Sequence, residues 1–304
     1  MVVFNCNIKK GIFKVKIKKA VIPAGGFGTR VLPATKVLPK EMYPIVDKPA
    51  IQYVVEEAVK SGISDILIVV GRGKEVLQNH FDVAPELEAA LEKSGKEQML
   101  KDVRLTSGMA NIYFTRQKNP QGLGHAILCA ESFVGDEPFA VLYPDDVIYS
   151  KKVPVCKQLV DAYEEFGLGV LGAHQMPLEE MSKYGSLKVE NIRDNLFMCR
   201  DMIEKPAPNQ VMSRYSILGR CVLPASIFEI LKDTSPGVGG EIQLTDAMKV
   251  LAQKEGMIVV DFEGIRYDIG NKLGILTAIV ETALRHPELS ADFKEYLKNI
   301  LKDI

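Results

Sequence analysis

The chain has 304 residues, 47% hydrophobic and 25% charged, the proportions of an ordinary globular protein and not those of a disordered, fibrous or membrane chain. Its 38 lysines and arginines nearly balance 39 aspartates and glutamates, for a formal net charge of -1, which excludes the broad basic field that holds nucleic acid or an anionic membrane. The cysteines Cys6, Cys129, Cys156, Cys199 and Cys221 are scattered without a C-x-x-C pair, so neither a disulfide frame nor a zinc site is expected; small-molecule partners in a reducing cytoplasm are.

Residues 1–17 carry lysines between their apolar runs and predict a basic extension, neither a signal peptide nor a membrane span. Residues 20–22 predict a short buried strand that runs straight into a glycine-rich turn, the way an open parallel sheet presents a phosphate loop. Ile51, Val54, Val55, Ala58 and Val59 recur at helical spacing with Gly62 as the stop, and the apolar run 65–71 follows as a strand, completing a βαβ unit. Further strands are expected at 112–115, 139–143, 169–173, 216–222 and 257–261, mostly separated by helical segments such as 156–166. From residue 272 two helices divided by Pro287 are predicted. This alternation predicts an α/β fold of Rossmann-like type, a mostly parallel twisted sheet flanked by helices. No repeat, low-complexity tract or Pro/Gly/Ser linker cuts the chain, so residues 18–304 are expected to form a single domain.

Three G-x-G sequences, at Gly26/Gly28, Gly71/Gly73 and Gly122/Gly124, lack the third glycine of the dinucleotide fingerprint, and Gly73-Lys74-Glu75 fails the P-loop pattern. A nicotinamide enzyme is thereby set aside. The stretch 24–49 gathers glycines, Arg30, Lys40 and several prolines at a strand-to-loop crossing. Gly25, Gly26 and Gly28 would let backbone N–H groups approach phosphate oxygens, Arg30 and Lys40 would neutralise the charge, and the prolines would pre-set the loop. Taken alone, such a turn is as often structural. Asp145 and Asp146 end the apolar run FAVLY, where doubly wound sheets put ligand groups, and Asp268 ends IRYD; each alone also reads as a loop-capping aspartate. Glu204-Lys205-Pro206 sets a carboxylate beside a lysine on a stiff turn, which by itself is an ordinary surface turn.

The run AGGFGTRVLPATKVLPKEMYPIVDKP resembles the G-G-x-G-T-R…P-K signature of nucleotidyltransferases that act on sugar 1-phosphates. QGLGHA, YPDDV, KYGSLKV, IEKP, GGEIQLTDA and YDIGNKLG follow in that family's order, so the resemblance covers the chain from about Lys18 onward and is similar in wording to the bacterial uridylyl branch. It implies a nucleotidyltransferase fold and a Mg2+-dependent transfer of a uridylyl group from UTP to glucose 1-phosphate, giving UDP-glucose and pyrophosphate. Carried over residue by residue, it implies catalytic roles for Arg30, Lys40 and Lys205. It implies nucleotide binding by Ala24, Gly25, Gly26, Gly28, Thr29, Gln117, Gly122 and Asp145, with Gln117 at the uracil edge. Tyr184, Gly185, Glu204, Lys205 and Glu241 would bind the sugar phosphate, and Asp145 and Asp268 would hold Mg2+. Residues 18–175 would then be mainly nucleotide-binding and 176–304 mainly sugar-binding and oligomer-contacting, in a homodimer or homotetramer.

Two features depart from the family's pattern: the leader before Lys18 is longer, and Tyr143 stands where a leucine is more usual. Glu241 reads equally as a cap for the helix of GEIQLTDAM, and whether Asp146 also meets the metal stays open. His125 reads as structural, because a sugar phosphate is already an anion and needs no strong base. Two alternatives remain: a related transferase using dTTP or another nucleoside triphosphate with another hexose 1-phosphate, or a non-catalytic regulator that binds UDP-sugars.

Overall fold

The computed structural model describes residues 15–302, so most of the extension expected over 1–17 lies outside the described residues; Ile17 is buried. The chain divides into two compact units that alternate along the sequence. Of the described residues, a first unit takes 15–19, then 121–141 and 155–262; a second takes 20–120, 142–154 and 263–302.

Strand β1 (Lys19–Ala24) is short and apolar, and leads through three single 3-10 turns to a two-stranded hairpin, β2 (Pro44–Ile45) and β3 (Lys48–Pro49). Helix α1 (Ala50–Lys60) buries Ile51, Val54, Val55 and Ala58 along one face and stops at Ser61, with Gly62 at φ +91°, the left-handed residue that commonly ends a helix. Strand β4 (Asp65–Val70) follows with five of six residues buried. After α2 (Glu75–Phe81), α3 (Pro85–Lys93) and α4 (Glu97–Gly108), β5 (Asn111–Arg116) pairs parallel with β4 from Asp65↔Asn111 to Val70↔Arg116. In the second unit the strand order is β5-β4-β1. Its central strand reads as one unbroken apolar run, as expected when helices cover both faces of a parallel sheet.

The chain then builds α5 (Leu123–Leu128), α6 (Glu131–Val134) and β6 (Phe139–Leu142), returns to the second unit for β7 (Asp146–Tyr149), and goes back through α7 (Val155–Phe166) to β8 (Val170–Gln175). A long antiparallel hairpin, β9 (Gly185–Arg193) and β10 (Leu196–Glu204), turns at Asp194 with φ +43°. The first unit continues with β11 (Tyr215–Leu223), α8 (Ile227–Lys232), α9 (Leu244–Lys254) and β12 (Met257–Asp261), in strand order β6-β11-β8-β12-β10-β9. Strands β8 and β12 are parallel, while β10 lies antiparallel to both β12 and β9.

The remaining elements are β13 (Ile265–Asp268), α10 (Lys272–Ala283) and α11 (Ser290–Ile300). Strand β13 pairs antiparallel with β7, placing Tyr267 opposite Val147 and Asp268 opposite Asp146. Beneath this ribbon Val31, Ile45, Ala50, Val147, Tyr267, Ile269, Ile275 and Ala278 form one buried apolar cluster. Each of its larger side chains contributes about 1.5–3 kcal/mol by leaving water, and together they fix the ends of β7 and β13. The α/β class expected from the alternation is the class observed, and the expected strands lie within two residues of observed ones. The β9–β10 hairpin, β7, β13 and the β2–β3 pair are additions that the sequence pattern does not predict.

Candidate active site

In the second unit, β1 ends in the glycine turn. Gly28 has φ +66°, and a Cβ there would stand 3.0 Å from Thr35 Cγ2 and 3.5 Å from Lys40 Cβ, so both conformation and room require glycine. The Thr35 hydroxyl donates to the Gly28 carbonyl at 2.8 Å and closes the loop. A Cβ on Gly25 would lie 2.8 Å from Gln117 Oε1, and one on Gly71 would lie 2.9 Å from the Gly25 carbonyl oxygen. Gln117 follows β5, is 4% exposed, and donates its backbone N–H to the Val70 carbonyl at 2.9 Å. Gly25, Gly71 and Gln117 therefore gather beyond the carboxyl ends of β1, β4 and β5, where open α/β sheets receive ligands. Ala24 is the buried last residue of β1, whereas Gly26 and Thr29 face solvent.

Lys40 sits on a single 3-10 turn, Lys40–Met42, and its ammonium lies 2.5 Å from Asp145 Oδ2. Burial works against both charges, but their mutual attraction and hydrogen bond prevail, raising Lys40 above its ordinary pKa and holding Asp145 below the usual carboxylate range. Arg30 Nη1 stands 3.7 Å from Asp268 Oδ2. The β7–β13 ribbon brings the two aspartates to adjoining strand ends, where the Ile269 N–H donates to the Asp145 carbonyl at 2.9 Å. Asp268 also accepts from the Gly270 N–H at 2.9 Å, and its carbonyl takes the Asn271 amide at 3.0 Å while Asn271 caps α10 through Gly274.

Asp146 is committed elsewhere, because Arg266 holds it through Nε at 2.6 Å and Nη2 at 2.5 Å. Among the described residues no group of three or more His, Cys, Asp and Glu converges as a metal cage. Two carboxylates on adjoining strand ends nonetheless supply hard oxygen donors, the set that magnesium uses when substrate phosphates and water complete its shell. The residues present fit such an ion.

In the first unit, β9 and β10 place Gly185 opposite Glu204. The Thr245 hydroxyl donates to Glu204 Oε2 at 2.7 Å, and a Cβ on Gly185 would come within 3.3 Å of the same oxygen. Lys205 has φ +44°, its N–H donates to the Tyr184 carbonyl at 3.1 Å, and its exposed ammonium lies 3.9 Å from Glu204 Oε1. A non-glycine residue in the left-handed region costs about 1–2 kcal/mol, and such strain clusters where a side chain must be aimed. Gly122, at φ +99°, packs on Glu241 and Ile242: a Cβ there would stand 2.6 Å from Glu241 Cβ and 2.8 Å from the Ile242 carbonyl. Two backbone bonds secure this approach, from Ile242 to Gln121 at 2.7 Å and from Gly124 to Ile242 at 2.8 Å. Glu241 does not cap α9, which begins at Leu244 with Gln243 in the capping position.

Of the residues expected to bind the nucleotide, Gly25 and Gln117 meet each other, while Gly122 meets Glu241, a residue expected on the sugar side. The structure adds partners that the pattern does not reveal: Thr245 for Glu204, Arg266 for Asp146, and a buried pair between Glu41 and Lys74. Arg266 lies inside the IRYD tag, where its carboxylate partner 120 residues away leaves no local signal.

Among the described residues no helix is long and apolar enough to cross a membrane. The sequence model of the family described as nucleotidyl transferase matches residues 19–284. The chain is 49% identical over 287 residues to the UTP--glucose-1-phosphate uridylyltransferase YngB of Bacillus subtilis, covering 94% of this chain and 96% of that one. It is 47% identical over 285 residues to a Staphylococcus epidermidis protein named UTP--glucose-1-phosphate uridylyltransferase, covering 94% and 99%. Among solved structures, a UDP-glucose pyrophosphorylase complexed with UDP-glucose superposes with a TM-score of 0.82 at 40% identity, over 89% of this chain and all of that one. The UTP-bound enzyme of Acinetobacter baumannii gives 0.86 at 36% identity, over 92% and 98%.

Proposed function

The chain belongs to the nucleotidyl transferase family, and from that premise we propose that it transfers the uridylyl group of UTP to glucose 1-phosphate, giving UDP-glucose and pyrophosphate. The observation that carries the choice of substrates is its 47–49% identity, over 94% of the chain, to proteins named for that reaction. A phosphate oxygen of the sugar phosphate attacks the α-phosphorus of UTP; the bond from that phosphorus to the bridging oxygen breaks, and its electron pair leaves with pyrophosphate. No proton need move, so orientation and charge stabilisation carry the rate.

The N–H groups of Gly25, Gly26 and Gly28 suit the phosphates, with Thr29 and Ala24 shaping the turn that offers them. Arg30 and Lys40 offset the charge that develops, and the buried Gln117 amide presents both a donor and an acceptor to the uracil edge. On the sugar side Lys205 takes the phosphate and Glu204, held by Thr245, a ring hydroxyl, with Tyr184, Gly185 and Glu241 lining that pocket, while Gly122 lets the backbone approach the base. Mg2+ held by Asp145 and Asp268 would supply positive charge against the mutual repulsion of two anionic substrates. The described cysteines are free, which supports a reducing cytoplasm, and a homodimer or homotetramer is the state proposed for light scattering to read.

The test is a grid of nucleoside triphosphates against glucose, galactose, mannose and N-acetylglucosamine 1-phosphates with Mg2+, read by pyrophosphate release. UTP with glucose 1-phosphate should give the highest kcat/KM. Purine nucleotides should trail by up to about 10⁴-fold, because they leave base-reading groups unpaired; dTTP, with the same hydrogen-bonding edge, should trail by less. A best signal with dTTP, or with GTP and mannose 1-phosphate, overturns the uridylyl reading. No release from any pair would favour a non-catalytic UDP-sugar binder.

A further inference from the structure

The second unit buries an ion pair that this chemistry does not use. Glu41 has no exposed surface, Lys74 is 7% exposed, and the Lys74 ammonium donates to both Glu41 oxygens at 2.8 and 2.9 Å. Attraction inside a protein roughly offsets the loss of hydration for such a pair, so stability alone is a weak reason to bury it. Its place in the chain offers a better one. Glu41 follows Lys40 on the same 3-10 turn, and Lys74 stands at the start of α2, which packs on that turn.

The turn has little of its own to hold it. Met42 donates to the Pro39 carbonyl at 2.8 Å and Tyr43 to the Lys40 carbonyl at 3.2 Å, with no side-chain cap. Short 3-10 turns have poor hydrogen-bond geometry and depend on their surroundings. Helices α1 and α2 both pack on this turn, and the polar part of these surroundings is a two-point grip on the residue beside Lys40, whose ammonium meets Asp145 and whose Cβ borders Gly28. The grip is electrically joined to the site as well. After burial and the attraction of Asp145, the Glu41 carboxylate is a further influence on Lys40, favouring its charged form.

We propose that Lys74 and Glu41 are a positioning pair: by clamping the turn 40–42 they hold the Lys40 ammonium where the triphosphate binds, so releasing the clamp slows uridylyl transfer without weakening glucose 1-phosphate. For its substrates this rests on the uridylyltransferase reading; for the clamp it rests on the geometry of the second unit.

The test uses the full chain and the variants Lys74→Met, Glu41→Gln and the double Glu41→Met/Lys74→Met. Each single change strands a buried polar partner and should lower Tm, whereas the double change removes both charges at similar volume and should melt near the parent. In the double variant kcat should fall at least about tenfold while KM for glucose 1-phosphate stays within about twofold. Acylation of the Lys40 amine by a water-soluble reagent, mapped by peptide mass spectrometry without substrates, should speed up at least about fivefold as the turn opens. A parent-like kcat or a parent-like labelling rate in the folded double variant overturns the proposal. If that variant melts far below the parent, Lys74→Arg decides: its cation can still grip Glu41, so kcat and labelling within about twofold of the parent support the clamp and a tenfold loss overturns it. A parent protein that releases no pyrophosphate refutes the substrate reading and leaves labelling to judge the clamp.

Discussion

In the second unit the charges of the candidate site come in opposed pairs: Lys40 with Asp145, Arg30 with Asp268, Arg266 with Asp146 and Lys74 with Glu41. In the first unit the candidate site has one loose pair, Lys205 with Glu204 at 3.9 Å, and the backbone does most of the placing. Lys205 is exposed, sits at φ +44°, and is located by its N–H bond to Tyr184, with Glu204 held by the neutral Thr245 hydroxyl. Paired charges let many ionised groups share a small space, and each then depends on its partner. A side chain aimed by the backbone depends on few neighbours. Damage should therefore spread in the second unit and stay local in the first.

The largest effect should come from Asp145→Asn or Asp268→Asn, each lowering pyrophosphate release by about 10²- to 10³-fold and weakening its dependence on Mg2+. Because Lys40 loses its partner in the first of these, Asp145→Asn combined with Lys40→Met should cost much less than the sum of the single changes. Parent-like turnover at limiting Mg2+ would remove the metal from this site. Next, Lys205→Ala should raise KM for glucose 1-phosphate by about tenfold to a hundredfold, leave UTP within about twofold, and add independently to Asp145→Asn. Equal weakening of both substrates would erase the contrast between the units.

Gly25→Ala should raise KM for UTP by about tenfold, since the new methyl would stand 2.8 Å from Gln117 Oε1 and overpacking of this kind costs about 1–3 kcal/mol. Acid melting tests the pairing itself. Asp145 is held below the usual carboxylate range, so its contribution is present above that range and disappears as pH falls through the lowered value; Asp145→Asn should flatten this limb of the Tm–pH curve. The smallest effect is backbone strain at Lys205, where glycine should be about 1 kcal/mol more stable than alanine in thermal melts, since only alanine retains a Cβ in the left-handed region.

Apolar periodicity made the scaffold legible. The run 257–261 is β12, and the spacing of Ile51, Val54, Val55 and Ala58 marks α1, because these residues are buried on one side and the chain has to repeat accordingly. The β9–β10 hairpin stayed hidden because its outer part is exposed and polar, so β9 shows no sustained alternation, and its turn uses Asp194 in place of the usual Asn-Gly. The site divides in the same way. Short tags give Asp145, Asp268, Glu204 and Lys205, while their partners come from distant segments: Thr245 is 41 residues from Glu204, and Lys74 is 33 from Glu41. Ion pairs across such separations impose no period, and Gly73-Lys74 is legible only as a failed phosphate-loop pattern.

The β7–β13 ribbon also bears on how the protein is made. Arg266 lies 120 positions after Asp146, a stretch that takes the ribosome on the order of ten seconds to add. During that interval β7 has been made without its mate: Asp146 lacks Arg266, and Tyr267 and Ile269 are not yet there to close the apolar cluster around Val147. The glycine turn and Lys40 are synthesised before Asp145, and Asp145 gains its neighbouring carboxylate only after that interval. A nascent chain stalled between these points would have an unpaired strand edge and an incomplete site.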